Sequence, residues 1–243
     1  MTRLRMAAAV LALTAVAGCG GPSRPPPGPS ASPEPRAPAG FVALDEVDPT
    51  IRQEIRYHGA DNFVGRPIAG YREPLCLLTR PAADALRRAR SLARADGRGL
   101  RVYDCYRPRR AVDDFVAWGR DLTDQRTKPA YYPRVDKAAL FDEGYLGAPS
   151  AHSRGSTVDI TLDDGAGPVD MGTPFDRFDP LSHTTAAGVS APALTNRLLL
   201  RRYLTSVGFV NYDREWWHYR LADEPFPATY FDFPVARSAL PEK

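Results

Sequence analysis

The pattern of apolar and polar positions divides the chain into a leader, a spacer and a folded region. Residues 6–16 form an almost unbroken apolar run, whereas residues 20–40 are dense in Pro, Gly, Ser and Ala and have almost no large apolar side chain. From Phe41 onward, apolar side chains recur at helical or strand spacing. Residues 41–243, roughly 200 residues, are long enough for one domain with a substantial core.

Three segments of the folded region have helical periodicity. The first lies between Thr79, the predicted N-cap residue, and Gly97, with Pro81 in its first turn. The other two are residues 111–122 and Leu194–Leu204. β-Branched and aromatic content predicts strands instead at five places, residues 51–57, 100–104, 158–162, 209–210 and 216–221. Because helices and strands do not alternate regularly as βαβ units, we expect an α+β fold.

The leader has the features of an export signal. Arg3 and Arg5 precede the apolar run Met6–Val16, which is too short to span a bilayer. Small residues then precede Cys19, as in a bacterial lipobox. We expect residues 1–18 to be removed, Cys19 to be acylated, and residues 19–40 to act as a disordered tether. The alternative is an ordinary cleaved signal with an incidental cysteine.

Net charge argues against a nucleic-acid partner. The chain has 32 basic and 29 acidic side chains. Since Arg3 and Arg5 lie in the predicted leader, 30 basic side chains would remain against 29 acidic ones in the mature protein. Such a nearly neutral chain lacks the basic surface that nucleic acids require.

The cysteines other than Cys19 form a pair. Cys76 and Cys105 would be exported with the domain into an oxidising compartment, so we predict a disulfide between them. Two buried free thiols are the alternative. Their spacing, without a CxxC motif, makes them poor metal ligands.

The chain has four histidines, His58, His152, His183 and His218. Two of them, His152 and His218, stand close to acids in the sequence. His152 and Asp159 are separated by a glycine-containing turn, and Glu215 precedes His218 by three residues. Catalytic zinc sites use three protein ligands and leave one position open, so His152, Asp159 and His218 could bind zinc while Glu215 acts as a base. Alternatively, these side chains could be hydrogen-bonded core residues without a metal.

The motifs around these residues resemble those of one enzyme family. Ser150-x-His152-x-x-Gly155-x-Thr157-x-Asp159, followed by Glu215-x-Trp217-His218, is similar to the SxHxxGxAxD and ExWH pair of the zinc D-Ala-D-Ala metallopeptidases. Further matching segments are Asn62–Tyr71, Tyr106-Arg107-Pro108 and Tyr230–Pro234. The resemblance covers about residues 41–235 and is closest to the D-alanyl-D-alanine dipeptidases of the VanX type.

The resemblance implies a fold and a set of roles. The fold would be a single α+β domain of the hedgehog/DD-peptidase type, with a small, mainly antiparallel sheet flanked by helices. One Zn²⁺ would be bound by His152, Asp159 and His218, with Glu215 as the general base. Arg107 would stabilise the oxyanion. Asp176, in the long connection of residues 163–191, would bind the substrate ammonium, and Ser150 would help to hold the dipeptide.

Two features depart from the family pattern. Thr157 replaces Ala, and period-two alternation would place its hydroxyl on the face of Asp159, where it could bond a zinc ligand or narrow the pocket. The leader and tether would place the enzyme at the outer face of the cell membrane, anchored through Cys19. This location makes a zinc D,D-carboxypeptidase or endopeptidase acting on peptidoglycan stems the main alternative. A non-catalytic zinc- or wall-binding lipoprotein is the other.

Overall fold

The computed structural model describes residues 34–242, and the predicted signal, Cys19 and residues 19–33 of the predicted tether lie outside this range. In chain order, the strands and helices are β1 (Phe41–Ala43), α1 (Leu44–Val47), β2 (Arg52–Gln53), β3 (Leu77–Thr79), α2 (Arg80–Ala95), β4 (Gly99–Asp104), α3 (Arg109–Arg120), α4 (Lys128–Tyr131), β5 (Thr157–Asp163), α5 (Ala191–Thr205), β6 (Phe209–Asn211) and β7 (His218–Leu221). Short 3-10 turns occur between them.

A five-stranded sheet with the order β2-β4-β5-β7-β6 forms the centre of the domain. Only the β2–β4 pair is parallel, and the other neighbours are antiparallel. A separate antiparallel pair joins β1 to β3. The prediction of an α+β domain with a small, mainly antiparallel sheet is therefore confirmed.

The helices pack on this sheet through their apolar faces. In α2 the buried positions Ala82, Leu86, Ala89 and Ala93 recur every three or four residues, which is the spacing of one helical face. Thr79 precedes the helix as predicted, but its side chain makes no capping bond. Its hydroxyl instead lies 2.7 Å from Ser156 Oγ, because both side chains are buried beneath the turn that precedes β5.

Two predicted strands are wrong in extent. Of residues 51–57, only Arg52–Gln53 pairs in the sheet, and Arg56–His58 forms a 3-10 turn. The predicted strand 216–221 begins only at His218. The preceding residues form a turn, in which the backbone N–H groups of Glu215 and His218 donate to the carbonyls of Tyr212 and Glu215. This turn changes the direction of the chain just before β7.

Contacts of the domain begin before the predicted start at Phe41. The Ala37 N–H donates to the Ala239 carbonyl at 2.8 Å, and Ala37 itself is buried. Arg36 Nη2 donates to the Leu240 carbonyl at 2.8 Å. None of the helices within residues 34–242 has the length and apolar character needed to cross a membrane.

Candidate metal centre and substrate pocket

A tight turn brings His152 next to β5. Residues 151–154 form a 3-10 turn, and the Ser150 side chain accepts a hydrogen bond from the His152 N–H at 3.4 Å. Gly155 ends the turn with φ at +81°, a left-handed conformation that favours glycine. A Cβ at this position would lie 2.3 Å from the Phe41 ring. The glycine therefore allows the chain to reverse into β5, which carries Asp159.

Strand pairing brings the third side chain to the same place. Asp159 of β5 lies directly opposite His218 of β7. His218 Nδ1 is 3.2 Å from Asp159 Oδ1, and His152 Nε2 is 3.3 Å from the same oxygen. The two ring nitrogens are 3.3 Å apart. The three predicted metal ligands thus form a nearly equilateral triangle of donor atoms.

This triangle fits a tetrahedral zinc ion. Bonds of about 2.0–2.1 Å to nitrogen and oxygen give a ligand-to-ligand separation of about 3.3–3.4 Å in a tetrahedron. His152 Nδ1 lies 2.7 Å from the Cys105 carbonyl oxygen, to which it can donate, leaving Nε2 free to bind a metal. Asp159 Oδ1 is buried and has no hydrogen-bond partner. An unpaired carboxylate oxygen beside two imidazole nitrogens is a suitable cation ligand.

Glu215 lies at the edge of this triangle, in the turn between β6 and β7. Its Oε2 is 3.6 Å from His218 Nδ1. Burial and then the nearby charge of Asp159 raise the pKa of Glu215 to about 8. Asn211 fixes the turn, since its Nδ2 donates to the carbonyls of Glu215 at 3.1 Å and of His218 at 3.0 Å. Glu215 is therefore a positioned carboxyl group with a raised proton affinity.

Arg107 is held beside the metal ligand Asp159 by a buried acid, Asp104. Its Nε donates to Asp104 Oδ2 at 2.9 Å, and its Nη2 reaches Asp159 Oδ2 at 3.5 Å. The guanidinium also lies against the rings of Tyr57 and Phe115, about 5 Å from each centroid. These contacts leave the charged group at a fixed place in the cavity wall.

Asp176 forms the acidic end of the cavity. Its backbone has a left-handed φ of 59°, and Tyr57 Oη donates to its Oδ2 at 2.8 Å. Burial and then the charge of Asp159 raise the pKa of Asp176 well above its usual range. A cationic group that entered this end would restore the carboxylate, because opposite charge favours the ionised form.

One cavity of about 350 Å³ is lined by all the residues for which a role in metal binding, catalysis or substrate binding was predicted. Its wall includes His152, Asp159, His218, Glu215, Arg107, Asp176 and Ser150. His58 and His183 do not line it. A neighbouring loop supplies Gly144, Tyr145, Leu146 and Gly147 to the same wall. Cys76 and Cys105, with Cα atoms 5.3 Å apart, are bonded to each other as a disulfide next to this region.

Thr157 does not take the role that its position in the motif predicted. Its side chain is buried, but Oγ1 makes no hydrogen bond, so it does not bond Asp159. Thr157 is also absent from the cavity wall. The extra hydroxyl therefore neither bonds a metal ligand nor narrows the cavity.

Some residues that fix the site were missed by sequence reasoning. Asp104 accepts hydrogen bonds from Arg107 and, at 2.6 Å, from Tyr71 Oη. Tyr57 holds Asp176. The only sequence signal for Asp104 was its place at the end of a predicted strand, beside the Tyr106-Arg107-Pro108 motif.

The chain is similar over most of its length to proteins of one family. A family model described as D-ala-D-ala dipeptidase matches residues 37–236. A D-alanyl-D-alanine dipeptidase of Enterococcus faecalis is 45% identical over 199 residues, covering 81% of this chain and 98% of the relative. One from Streptomyces coelicolor is 44% identical, with the same coverage. One from Escherichia coli is 35% identical and covers 78% of this chain and 87% of the relative.

Proposed function

Since the chain belongs to the D-ala-D-ala dipeptidase family, we propose that it hydrolyses D-alanyl-D-alanine to two D-alanines in a zinc-dependent reaction. The observation that carries the proposal is the single cavity in which Glu215, Arg107 and Asp176 surround the His152–Asp159–His218 triangle. A base, an oxyanion donor and an ammonium site are the groups that hydrolysis of a free dipeptide requires.

The ligand triangle would hold one Zn²⁺. When bound, zinc supplies Lewis acidity toward water and the peptide carbonyl. The pKa of Glu215 falls when a divalent cation is bound nearby, because the opposite charge favours the carboxylate. Glu215 is then the base that takes a proton from the attacking water. The same carboxyl group later donates that proton to the leaving amine.

Arg107 stabilises the negative charge that develops on the carbonyl oxygen. Its guanidinium keeps its positive charge at all relevant pH values and presents several donors in one plane. Asp104 and the rings of Tyr57 and Phe115 hold it before substrate arrives, so little reorganisation is needed during the reaction. Ser150, which also lines the cavity, would help to hold the dipeptide near the metal.

Asp176 provides selectivity for a free dipeptide. A free ammonium group would pair with its carboxylate, whereas an acylated nitrogen would leave a buried, unpaired acid. Asp176 is only 4% exposed, so water cannot readily replace the missing partner. This penalty disfavours peptidoglycan stems, in which the corresponding nitrogen is acylated.

We further propose that the enzyme acts outside the cytoplasmic membrane as a lipoprotein anchored at Cys19. The apolar leader, the small residues before Cys19 and the Pro-rich segment support this location. The disulfide between Cys76 and Cys105 is consistent with an oxidising compartment. A membrane-attached enzyme in this place would scavenge dipeptide released from the wall.

The decisive experiment compares D-alanine release from D-Ala-D-Ala and from a pentapeptide stem ending in D-Ala-D-Ala, with and without a chelator. We expect rapid, chelator-sensitive release from the dipeptide alone. Preferred cleavage of the pentapeptide would indicate a carboxypeptidase, and bound zinc without any turnover would indicate a binding protein. Glu215→Gln should retain zinc and lose at least about 1,000-fold in kcat. Retained turnover in the zinc-loaded variant would remove Glu215 from the role of base.

A further inference from the structure

A guanidinium group with no exposed surface lies outside the wall of the substrate pocket. Arg197, on α5, is 0% exposed. Its three nitrogens donate to backbone carbonyls and to one hydroxyl, and none of the partners is a carboxylate. Burying such a charge is costly unless each N–H is satisfied. A side chain this expensive to bury needs an explanation beyond packing.

The partners of Arg197 close the two ends of one loop, residues 171–183. At the first end, Nε donates to the Met171 carbonyl at 2.6 Å and Nη2 to Thr173 Oγ1 at 3.3 Å. At the second end, Nη1 donates to the carbonyls of Leu181 at 2.9 Å and His183 at 2.7 Å. The planar fork thus joins the ends of the loop at its base.

The middle of this loop carries Asp176, the acidic end of the cavity. Phe175 packs edge-on against Trp217, with ring centroids 5.4 Å apart. Phe178 packs against Phe63 at 5.0 Å. Both rings hold the loop against the cavity wall, while Asp176 between them has a left-handed backbone. The position of its carboxylate therefore depends on how the loop is closed.

The turn that carries Glu215 packs against the same two ends of the loop. The Trp216 indole Nε1 donates to Thr173 Oγ1 at 2.9 Å, and the Trp216 N–H donates to the Ser182 carbonyl at 3.0 Å. Ser182 Oγ donates to the Arg177 carbonyl at 2.6 Å, so Thr173 donates in its 3.0 Å contact with Ser182 Oγ. The Thr173 oxygen is then free to accept from both Trp216 and Arg197.

We propose that Arg197 is a positioning residue that fixes the 171–183 loop and thereby sets the place of Asp176 relative to Glu215. The substrate roles of the two acids rest on the proposed function, whereas the closure of the loop rests on the hydrogen bonds alone. Arg197 itself touches neither substrate nor metal ligand. It acts on dipeptide binding through the loop whose ends it joins.

Replacing the guanidinium of Arg197 with the ammonium group of lysine tests the proposal. Arg197→Lys keeps the charge but places all donors on one nitrogen, so the separate nitrogens that face the two ends of the loop are lost. We expect KM for D-Ala-D-Ala to rise by at least about tenfold, because the ammonium loses a well-placed partner. Partial unfolding would lower the rate per total protein yet leave KM unchanged, so KM separates positioning from a merely structural role. Zinc content should stay at the wild-type level.

The matched control is Arg201→Lys, an exposed position on the same helix, which should leave KM unchanged. If Arg197→Lys does not fold, Thr173 provides a second test. Thr173→Val removes the shared hydroxyl at nearly constant shape and should raise KM, whereas Thr173→Ser keeps a hydroxyl and should restore the wild-type value. An unchanged KM in folded Arg197→Lys, or equal KM values for the two Thr173 variants, would overturn the proposal.

A readout without substrate separates this proposal from the proposed function. Hydrogen–deuterium exchange of residues 174–178 should be at least about tenfold faster in Arg197→Lys than in Arg201→Lys, because the loop opens locally. Wild-type protein that fails to hydrolyse D-Ala-D-Ala would defeat the proposed function while leaving this comparison valid. Unchanged exchange in Arg197→Lys would contradict the role of Arg197 whatever the substrate.

Discussion

Asp104→Asn is the sharpest test of how the site holds Arg107. Asp104 has no exposed surface and accepts from Arg107 Nε at 2.9 Å and from Tyr71 Oη at 2.6 Å. Asparagine has nearly the same shape but only one acceptor oxygen, so the substitution removes the charge and the acceptor for one of these two donors. The carboxylate that remains nearest to Arg107 is then Asp159, whose Oδ2 already lies 3.5 Å from Nη2.

The expected loss can be worked from these contacts. Hydrogen bonds to charged groups contribute about 1.5–3 kcal/mol, and neutral ones about half as much. Replacing the charged acceptor of Arg107 by a neutral one should therefore cost about 0.8–1.5 kcal/mol in the transition state, or about 4- to 13-fold in kcat. Complete loss of an oxyanion donor, about 100- to 1,000-fold, sets the upper limit. KM should change little, because the ammonium is bound by Asp176, which Tyr57 holds in place.

The assay follows D-alanine release from D-Ala-D-Ala, together with zinc affinity from a chelator titration. Zinc should bind about tenfold more weakly, because Arg107 moves toward the ligand Asp159. Asp163→Asn is the matched control, since Asp163 also pairs with a partly buried arginine, Arg101, at 2.7 Å, but at the far end of β4 and β5. It should lower stability and leave kcat unchanged. Wild-type kcat and zinc affinity in Asp104→Asn would refute the reasoning.

Three further variants give separate tests. Tyr57→Phe removes the hydroxyl that donates to Asp176 and should raise KM about tenfold with little change in kcat, as measured by steady-state kinetics. Gly155→Ala should lower the free energy of unfolding by about 2–4 kcal/mol in denaturant titrations, because φ is +81° and the new Cβ has no room. Replacing both Cys76 and Cys105 by Ala opens a link that spans 29 residues and should lower the free energy of unfolding by about 3–4 kcal/mol, whereas an unchanged midpoint would exclude a stabilising disulfide.

The three longer helices and the proposed metal ligands could be read from the sequence, because both depend on short-range patterns. The period of α2 follows from residues three and four apart. His152 and Asp159 stand in one motif, and Glu215 and His218 in another. That the two motifs lie close together in the fold followed from the expectation that both provide ligands to one metal ion.

The supporting residues could not be found in this way, because their partners are distant in the chain. Arg197 on α5 resembles the other helical arginines in sequence, and only the fold shows that it joins the ends of the 171–183 loop. The predicted strand 216–221 was too long for a related reason. Aromatic content favoured a strand at Trp216 and Trp217, but tertiary hydrogen bonds to Thr173 and Ser182 hold Trp216 in a turn.

The placement of Asp159 directly opposite His218 has a consequence for folding. Successive side chains of a strand point to opposite faces, so a slip of β7 by one residue would carry His218 away from Asp159. An ion that needs both ligands would bind only chains in the native register. Each bound ion would then withdraw correctly paired molecules from the mixture of pairings and stabilise them by mass action. Metal binding would therefore stabilise the strand register that brings its own ligands together.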